Sequence, residues 1–206
     1  MKVILLNGSP NEHGCTDRAL REVVATLEKH GVESETIWIG KKPVPGCIAC
    51  FACQKTKKCI VDDEVNVVAE KLMAADALVI GAPVYYASAA GQIICFLDRL
   101  FFSAGSKFTG KLGASIASCR RAGATCTFDE LNKYFTIKSM PIVASQYWNQ
   151  VHGYTAADVE KDEEGLQTMR TLGENMAWLL KSIEAGRKAG VEAPKYEKII
   201  ATNFIR

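Results

Sequence analysis

The chain has 206 residues, 48% hydrophobic and 23% charged, an ordinary globular balance with room for one sizeable core. Its net charge of +2 gives no broad electrostatic case for nucleic acid or for an anionic membrane. Eight cysteines, an N-terminal apolar run of only four residues (Val3–Leu6) and no stretch of membrane-spanning length predict a cytoplasmic protein with reduced or metal-bound thiols.

Val3–Leu6 reads as a strand buried on both faces. A polar turn with two glycines follows, and then Ala19, Leu20, Val23, Val24 and Leu27 recur at helical spacing up to Gly31. Thr36–Ile39 is the expected second strand, followed by a cysteine-rich loop over residues 43–62. Val65, Val68, Ala69 and Leu72 mark a helix. Ala77–Ile80 is the third strand, expected to stop at Gly81-Ala82-Pro83. Ile93, Ile94, Leu97, Leu100 and Phe101 mark another helix, and Phe128–Phe135 reads as a further one. Ala114–Ala117 and Ile142–Ala144 are the expected fourth and fifth strands. Leu166, Met169, Leu172, Met176, Leu179, Leu180 and Ile183 share one face of a last helix. Residues 1–186 are expected to form a single domain, with a tail over 187–206 that packs on its own domain or on a partner subunit.

Strands alternating with helices predict an α/β fold, a doubly wound parallel sheet with helices on both faces. Ligands of such sheets bind beyond the carboxyl ends of the strands, so the loops there carry the functional reading.

The loop from Ser9 to Thr16 opens a helix, where free N–H groups and the helix dipole suit a phosphate. Ser9, Asn11 and Thr16 add side-chain donors, while Glu12 must point to solvent beside a dianion. An ordinary loop with Thr16 as N-cap is the alternative. The loop lacks both Gly-Lys-Ser/Thr and G-x-G-x-x-G, so neither a P-loop nor a dinucleotide fingerprint is present. After the third strand come Pro83, Val84, Tyr85 and Tyr86, whose paired rings suit a flat heterocycle or simply the rim of a core. After the fourth come Ser118, Cys119, Arg120, Arg121 and Gly123. The arginines there either face an anionic ring or substrate or are merely solvated and paired.

Cys47, Cys50, Cys53 and Cys59 fall within thirteen residues as C-x2-C-x2-C-x5-C. Three thiolates two residues apart, closed by a fourth, suit an iron–sulfur cube. Free thiols or a disulfide remain the plain alternative, and zinc, which favours two separated knuckles, is the third. Lys55, Lys57 and Lys58 within the motif either offset cluster charge or belong to a solvated loop. No Ser/His/Asp set or H-E-x-x-H motif supports hydrolysis. Of the three histidines only His152 is a candidate for a substrate pocket.

Gly8-Ser9-Pro10 with Thr16, Ala82-Pro83-Val84-Tyr85-Tyr86 and Phe96-Leu97-Asp98-Arg99 together resemble the flavodoxin-like NAD(P)H-dependent FMN reductases. With the four cysteines, the chain resembles the iron–sulfur flavoproteins within that group. The resemblance implies a five-stranded sheet in the order 2-1-3-4-5. It implies FMN phosphate held by Ser9, Pro10, Asn11, Gly14, Cys15 and Thr16, although relatives often carry a basic residue where this chain has Asn11-Glu12. Pro83, Val84, Tyr85 and Tyr86 would line the isoalloxazine, and Ser118, Arg120, Arg121 and Gly123 would cover its other edge. Cys47, Cys50, Cys53 and Cys59 would hold a [4Fe–4S] cluster.

The function implied is hydride transfer from NAD(P)H to FMN, with the chemistry in the flavin and no catalytic side chain. Electrons would pass to free flavin, a quinone or another small acceptor, or to a ferredoxin-like carrier. A homodimer or homotetramer is implied, with Tyr147–Gly153 reaching a neighbour's flavin. The alternative is an FMN/iron–sulfur carrier between proteins without nicotinamide turnover, and a third reading is a zinc-binding or redox-sensing scaffold.

Overall fold

The computed structural model describes residues 1–200 and 202. In chain order the elements are β1 (Lys2–Asn7), α1 (Cys15–Lys29), β2 (Glu33–Trp38), α2 (Cys53–Thr56), α3 (Glu64–Met73), β3 (Ala77–Tyr85), β4 (Ser88–Ala89), α4 (Gly91–Ala104), β5 (Leu112–Cys119), α5 (Ala124–Thr136), β6 (Gln150–His152), α6 (Ala156–Val159) and α7 (Glu163–Lys188). The parallel sheet runs β2-β1-β3-β5-β6, the expected order, and short β4 folds back antiparallel on β3.

Strand alternation divides the core in two. Val3 and Leu5 face α1 and α7, while Ile4 and Leu6 face α3, α4 and α5, and all four are fully buried. A strand covered on both faces must be apolar throughout, which is why β1 and the first half of β3 carry no alternation. Each such Val, Ile or Leu contributes about 1.5–3 kcal/mol relative to exposure.

Two expectations need correction. β3 does not stop at Gly81-Ala82-Pro83 but runs through them to Tyr85. The Pro83 carbonyl accepts the Ala90 N–H at 3.2 Å, on the side of β3 opposite β5. Its nitrogen faces the same way, into the lane that β1 has left at Asn7, so the missing N–H breaks no ladder bond. The expected fifth strand at Ile142–Ala144 is reduced to one bridge, Gly113 to Ile142. The chain then leaves the edge and the ladder resumes at Gln150–His152 beside Ala117–Cys119. Tyr147 and Trp148 therefore stand partway along the sheet edge, not beyond its carboxyl end.

After α7 the described tail residues are exposed and without regular structure. Phe204 and Ile205 lie outside the described residues. No described helix is long and apolar enough to cross a membrane.

Candidate functional site

Three loops meet at the carboxyl end of the sheet. Gly8 leaves β1 so close to β3 that a Cβ there would lie 2.8 Å from Ile93 and 3.0 Å from the Gly81 carbonyl. The loop then ties itself: the Ser9 N–H donates to Asn7 Oδ1 at 3.1 Å, and Asn7 Nδ2 donates to the Glu12 carbonyl at 2.9 Å. The Asn11 N–H donates to the Ser9 hydroxyl at 3.1 Å, and Trp38 Nε1 at the end of β2 donates to the Ser9 carbonyl at 2.8 Å. Glu12 is exposed, as expected.

Gly14, not Thr16, occupies the N-cap position of α1, and no side chain caps the helix. Its first N–H groups are the orphan donors of a 15-residue helix, with the positive end of the dipole behind them. The Thr16 hydroxyl instead lies 2.7 Å from that of Ser118 and ties this loop to the end of β5. The Cys15 thiol donates to the Gly153 carbonyl at 3.5 Å, and burial pushes its ionisation up. Only the backbone of Cys15 serves the loop.

Tyr86 and Ala87 form the two-residue tip of the β3–β4 hairpin, with φ values of 53° and 61°. A two-residue turn with both φ angles positive matches the strand twist but is strained without glycine. Glu130 holds it by accepting from the Ser88 hydroxyl at 2.7 Å and the Ala89 N–H at 2.8 Å. Tyr85 is half exposed and Tyr86 fully so. Gly123, at φ 87°, presses on this tip: a Cβ there would come within 2.7 Å of Ala87 Cα and 2.8 Å of Val84 Cγ1. Ser118 is buried, while Arg120 and Arg121 are exposed and, among the described residues, make no salt bridge. The phosphate-type loop, the tyrosine hairpin and the arginine loop thus form one contiguous surface. Burial raises the Cys119 thiol and marks it as inert, and Cys126 is exposed.

The cysteine loop lies on the α3/α4 face. Cys47, Cys50, Cys53 and Cys59 all line one pocket, with Ile48, Phe51, Ile60 and Phe102 around them and no carboxylate. Ala49 and Phe51 take left-handed φ values of 51° and 56°, turning the chain between successive cysteines. Phe51 leans on Phe102, with centroids 5.9 Å apart. Among the described residues no three His, Cys, Asp or Glu side chains are gathered tightly enough for a single metal ion. Lys58 pairs with Glu70 and Lys57 donates to the Gln54 carbonyl, so neither is aimed at the thiols. Cys95, on α4, is half-buried.

Arg99 enters the sequence reading only through the Phe96–Arg99 motif, and its place beside the cysteines with Asp63 was missed. Its guanidinium, 1% exposed, grips both Asp63 oxygens at 2.7 Å and reaches Cys59 Sγ at 3.2 Å. Asp63 keeps Arg99 charged. Burial alone would raise Asp63, but Arg99 outweighs it and holds the carboxyl below its ordinary range. The signal available was a cation on the apolar face of α4, three residues from Phe96 and four from Ser103.

His152 lines a separate cleft with Tyr147, Trp148, Gln150, Asp162 and Glu164, its Nδ1 3.6 Å from Asp162. That cleft sits at the sheet edge, and His13 and His30 serve Asp17 and Glu174 at the surface.

Residues 1–154 match the family model of the NADPH-dependent FMN reductases. An iron–sulfur flavoprotein of Methanocaldococcus jannaschii is 31% identical over 192 residues, covering 89% of this chain and 100% of the relative. RosB shares the fold at 16% identity and a TM-score of 0.69, over 99% of this chain and 92% of its own. A flavodoxin from the domain Archaea does so at 16% and 0.61, over 88% and 99%. The flavodoxin-like sheet, the uncapped first helix and the match across most of its length agree: the chain belongs to the NADPH-dependent FMN reductase family.

Proposed function

We propose that the protein takes hydride from NAD(P)H onto FMN and passes electrons to flavin, a quinone or another small acceptor by way of an iron–sulfur cluster. The observation that carries the flavin reading is the uncapped start of α1, converging with the tyrosine hairpin and the arginine loop. That surface fits FMN. Orphan N–H groups at Cys15 and Thr16, with Ser9, Pro10, Asn11 and Gly14 shaping the loop, would hold the phosphate without a basic side chain, since Arg18 is engaged by Glu22 and Glu160. Pro83, Val84, Tyr85 and Tyr86 line one side of the ring. Ser118, Arg120, Arg121 and Gly123 would line the other edge, where the exposed arginines would favour an anionic, reduced flavin or the phosphates of a nicotinamide nucleotide.

Bound FMN supplies hydride acceptance and release; the chain supplies binding, orientation and charge. With one flavin site and no separate nucleotide-binding domain, donor and acceptor would take turns there, and steady-state kinetics would be ping-pong.

The cysteine pocket fits a [4Fe–4S] cluster. Four thiols share one apolar pocket without carboxylates, and the left-handed turns at Ala49 and Phe51 bring them round. A cube spreads its thiolates over separate irons, whereas zinc would need them gathered on one ion. Relatives named iron–sulfur flavoproteins support the same reading. Cytoplasmic location, a homodimer or homotetramer with the tail 187–206 at its interface, and a ferredoxin-like carrier as a further partner complete the proposal.

The test is the visible spectrum of protein purified without oxygen, with iron and sulfide assayed on the same sample. Flavin bands with about four iron per chain support the full reading. Flavin without iron removes the cluster. Flavin that NADPH and NADH leave oxidised would favour a carrier between proteins.

A further inference from the structure

Arg99 is buried far beyond what an arginine tolerates unless each donor is used, because stripping a guanidinium of water costs several kcal/mol. Its use here is directional. Nη1 and Nη2 take the two oxygens of Asp63 at 2.7 Å each, Nη2 also reaches the Val61 carbonyl at 3.1 Å, and Nη1 the Pro45 carbonyl at 3.5 Å. The remaining donor, Nε, points at Cys59 Sγ at 3.2 Å. A neutral thiol is a weak acceptor, so a charged, fixed donor is poorly matched to it and well matched to a thiolate.

Cys59 is also anchored through its backbone. Its N–H donates to Asn66 Oδ1 at 2.9 Å, and Asn66 Nδ2 donates back to the Cys59 carbonyl at 3.0 Å and to that of Val61 at 3.2 Å. Asp63 is itself fixed as the N-cap of α3, accepting the Val65 N–H at 3.1 Å. Cys47 and Cys50, by contrast, lie exposed on the loop. One rigid corner made by α3 and α4 therefore presents a single sulfur to the shared pocket.

We propose that Arg99 is the positioning residue of the fourth thiolate: it aims Cys59 into the pocket and, through the Nε–H bond to its sulfur, raises the reduction potential of the cluster held there. The inference rests on the reading of the four cysteines as cluster ligands. A donor on a ligand sulfur, and a cation behind it, favour the reduced state because that state places more negative charge on the sulfurs. Asp63 balances the net charge of the guanidinium, so the directed N–H carries most of the effect.

The experiment uses anaerobically purified holoprotein, with iron and sulfide content, thermal melting and an EPR-monitored redox titration on each sample. Arg99→Met is made together with Asp63→Asn so that no carboxylate is left without its partner. At a fixed potential the double variant is expected to hold roughly tenfold less reduced cluster, a fall of about 59 mV for a one-electron couple. Arg99→Lys keeps the charge but loses the fork that serves Asp63 and Cys59 together, and is expected to fall between the two. Iron lost from the double variant at an unchanged melting temperature, and recovered in Arg99→Lys, also supports the proposal. Full iron at the wild-type potential in the double variant overturns it. If the double variant does not fold, an unchanged potential in Arg99→Lys overturns it and a lowered one supports it. Wild-type protein without iron overturns the cluster reading, and this inference with it.

Discussion

Gly123→Ala tests whether the hairpin and the arginine loop form one binding surface. Two costs arise at this position. The backbone sits at φ 87°, where an L side chain costs about 1–2 kcal/mol. The new Cβ also falls 2.7 Å from Ala87 Cα, against an ordinary carbon–carbon separation of about 3.5 Å. The obstacle is backbone, and the hairpin tip is already strained at Tyr86 and Ala87, so the tip must retreat by close to 1 Å. Such overpacking costs typically about 1–3 kcal/mol. Glu130 anchors the hairpin base, so the displacement falls on Tyr85 and Tyr86. If about 2 kcal/mol of this total appears as lost flavin contact, FMN affinity falls roughly thirtyfold. Gly110→Ala is the control: its φ is 80° but nothing lies within 4 Å of its added Cβ. Fluorescence titration of apoprotein with FMN, beside thermal melts, separates the two effects. Gly110→Ala should lower the melting temperature and leave FMN affinity alone. Gly123→Ala with wild-type affinity would refute the single-surface reasoning.

Three further perturbations address other links. Thr16→Val removes the hydroxyl facing Ser118 and leaves a buried partner unsatisfied; a loss of about 1–3 kcal/mol in stability, with weaker FMN binding, is expected by melting and titration. Glu22 pairs with Arg18 on its own helix and bridges α1 to α7 through Arg170. Burial alone would raise its carboxyl, but Arg170 and Arg18 outweigh that and hold it low. Its stabilisation is therefore complete above the ordinary carboxylate value of 4.5 and fades as pH falls below it. Glu22→Gln should cost about 1 kcal/mol near neutrality, with the gap from wild type closing in acid, and a pH-independent gap in denaturant midpoints would contradict this. Ala49→Gly relieves a left-handed alanine and should stabilise the apoprotein by about 1 kcal/mol without loss of iron, read from melts and an iron assay.

The layers of the fold were legible because hydrophobic period reports burial directly. β1 and the start of β3 are apolar throughout, and the long face from Leu166 to Leu180 keeps helical spacing. The sheet edges were not legible, because pairing there is a matter of lanes rather than of local pattern. Pro83 and Gly81 read as a stop, yet β1 ends opposite Gly81 and their strand goes on beside β5. Ile142–Ala144 has the composition of a strand, but Val143 alone of the three is buried, and a ladder needs more than one anchored residue.

The candidate site divides along the same line. Which loops to inspect followed from the carboxyl-end rule for such sheets, and the structure brings Ser9–Thr16, Pro83–Tyr86 and Ser118–Gly123 together there. How they hold one another was not legible, since the Thr16–Ser118 contact and the seat of Gly123 under Ala87 each join residues that are distant in sequence. The cysteine motif shows the limit more sharply. Its spacing suggests four cluster ligands, but nothing local marks Ala49 and Phe51 as left-handed, and Arg99 stands forty residues beyond Cys59. α4 brings that arginine into place. It starts at Gly91, directly after the hairpin, and reaches Arg99 about 12 Å down its axis at 1.5 Å per residue. One rigid helix thus sets the separation between the tyrosine surface and the cysteine corner. Changes within either loop should alter what binds there and leave that distance fixed.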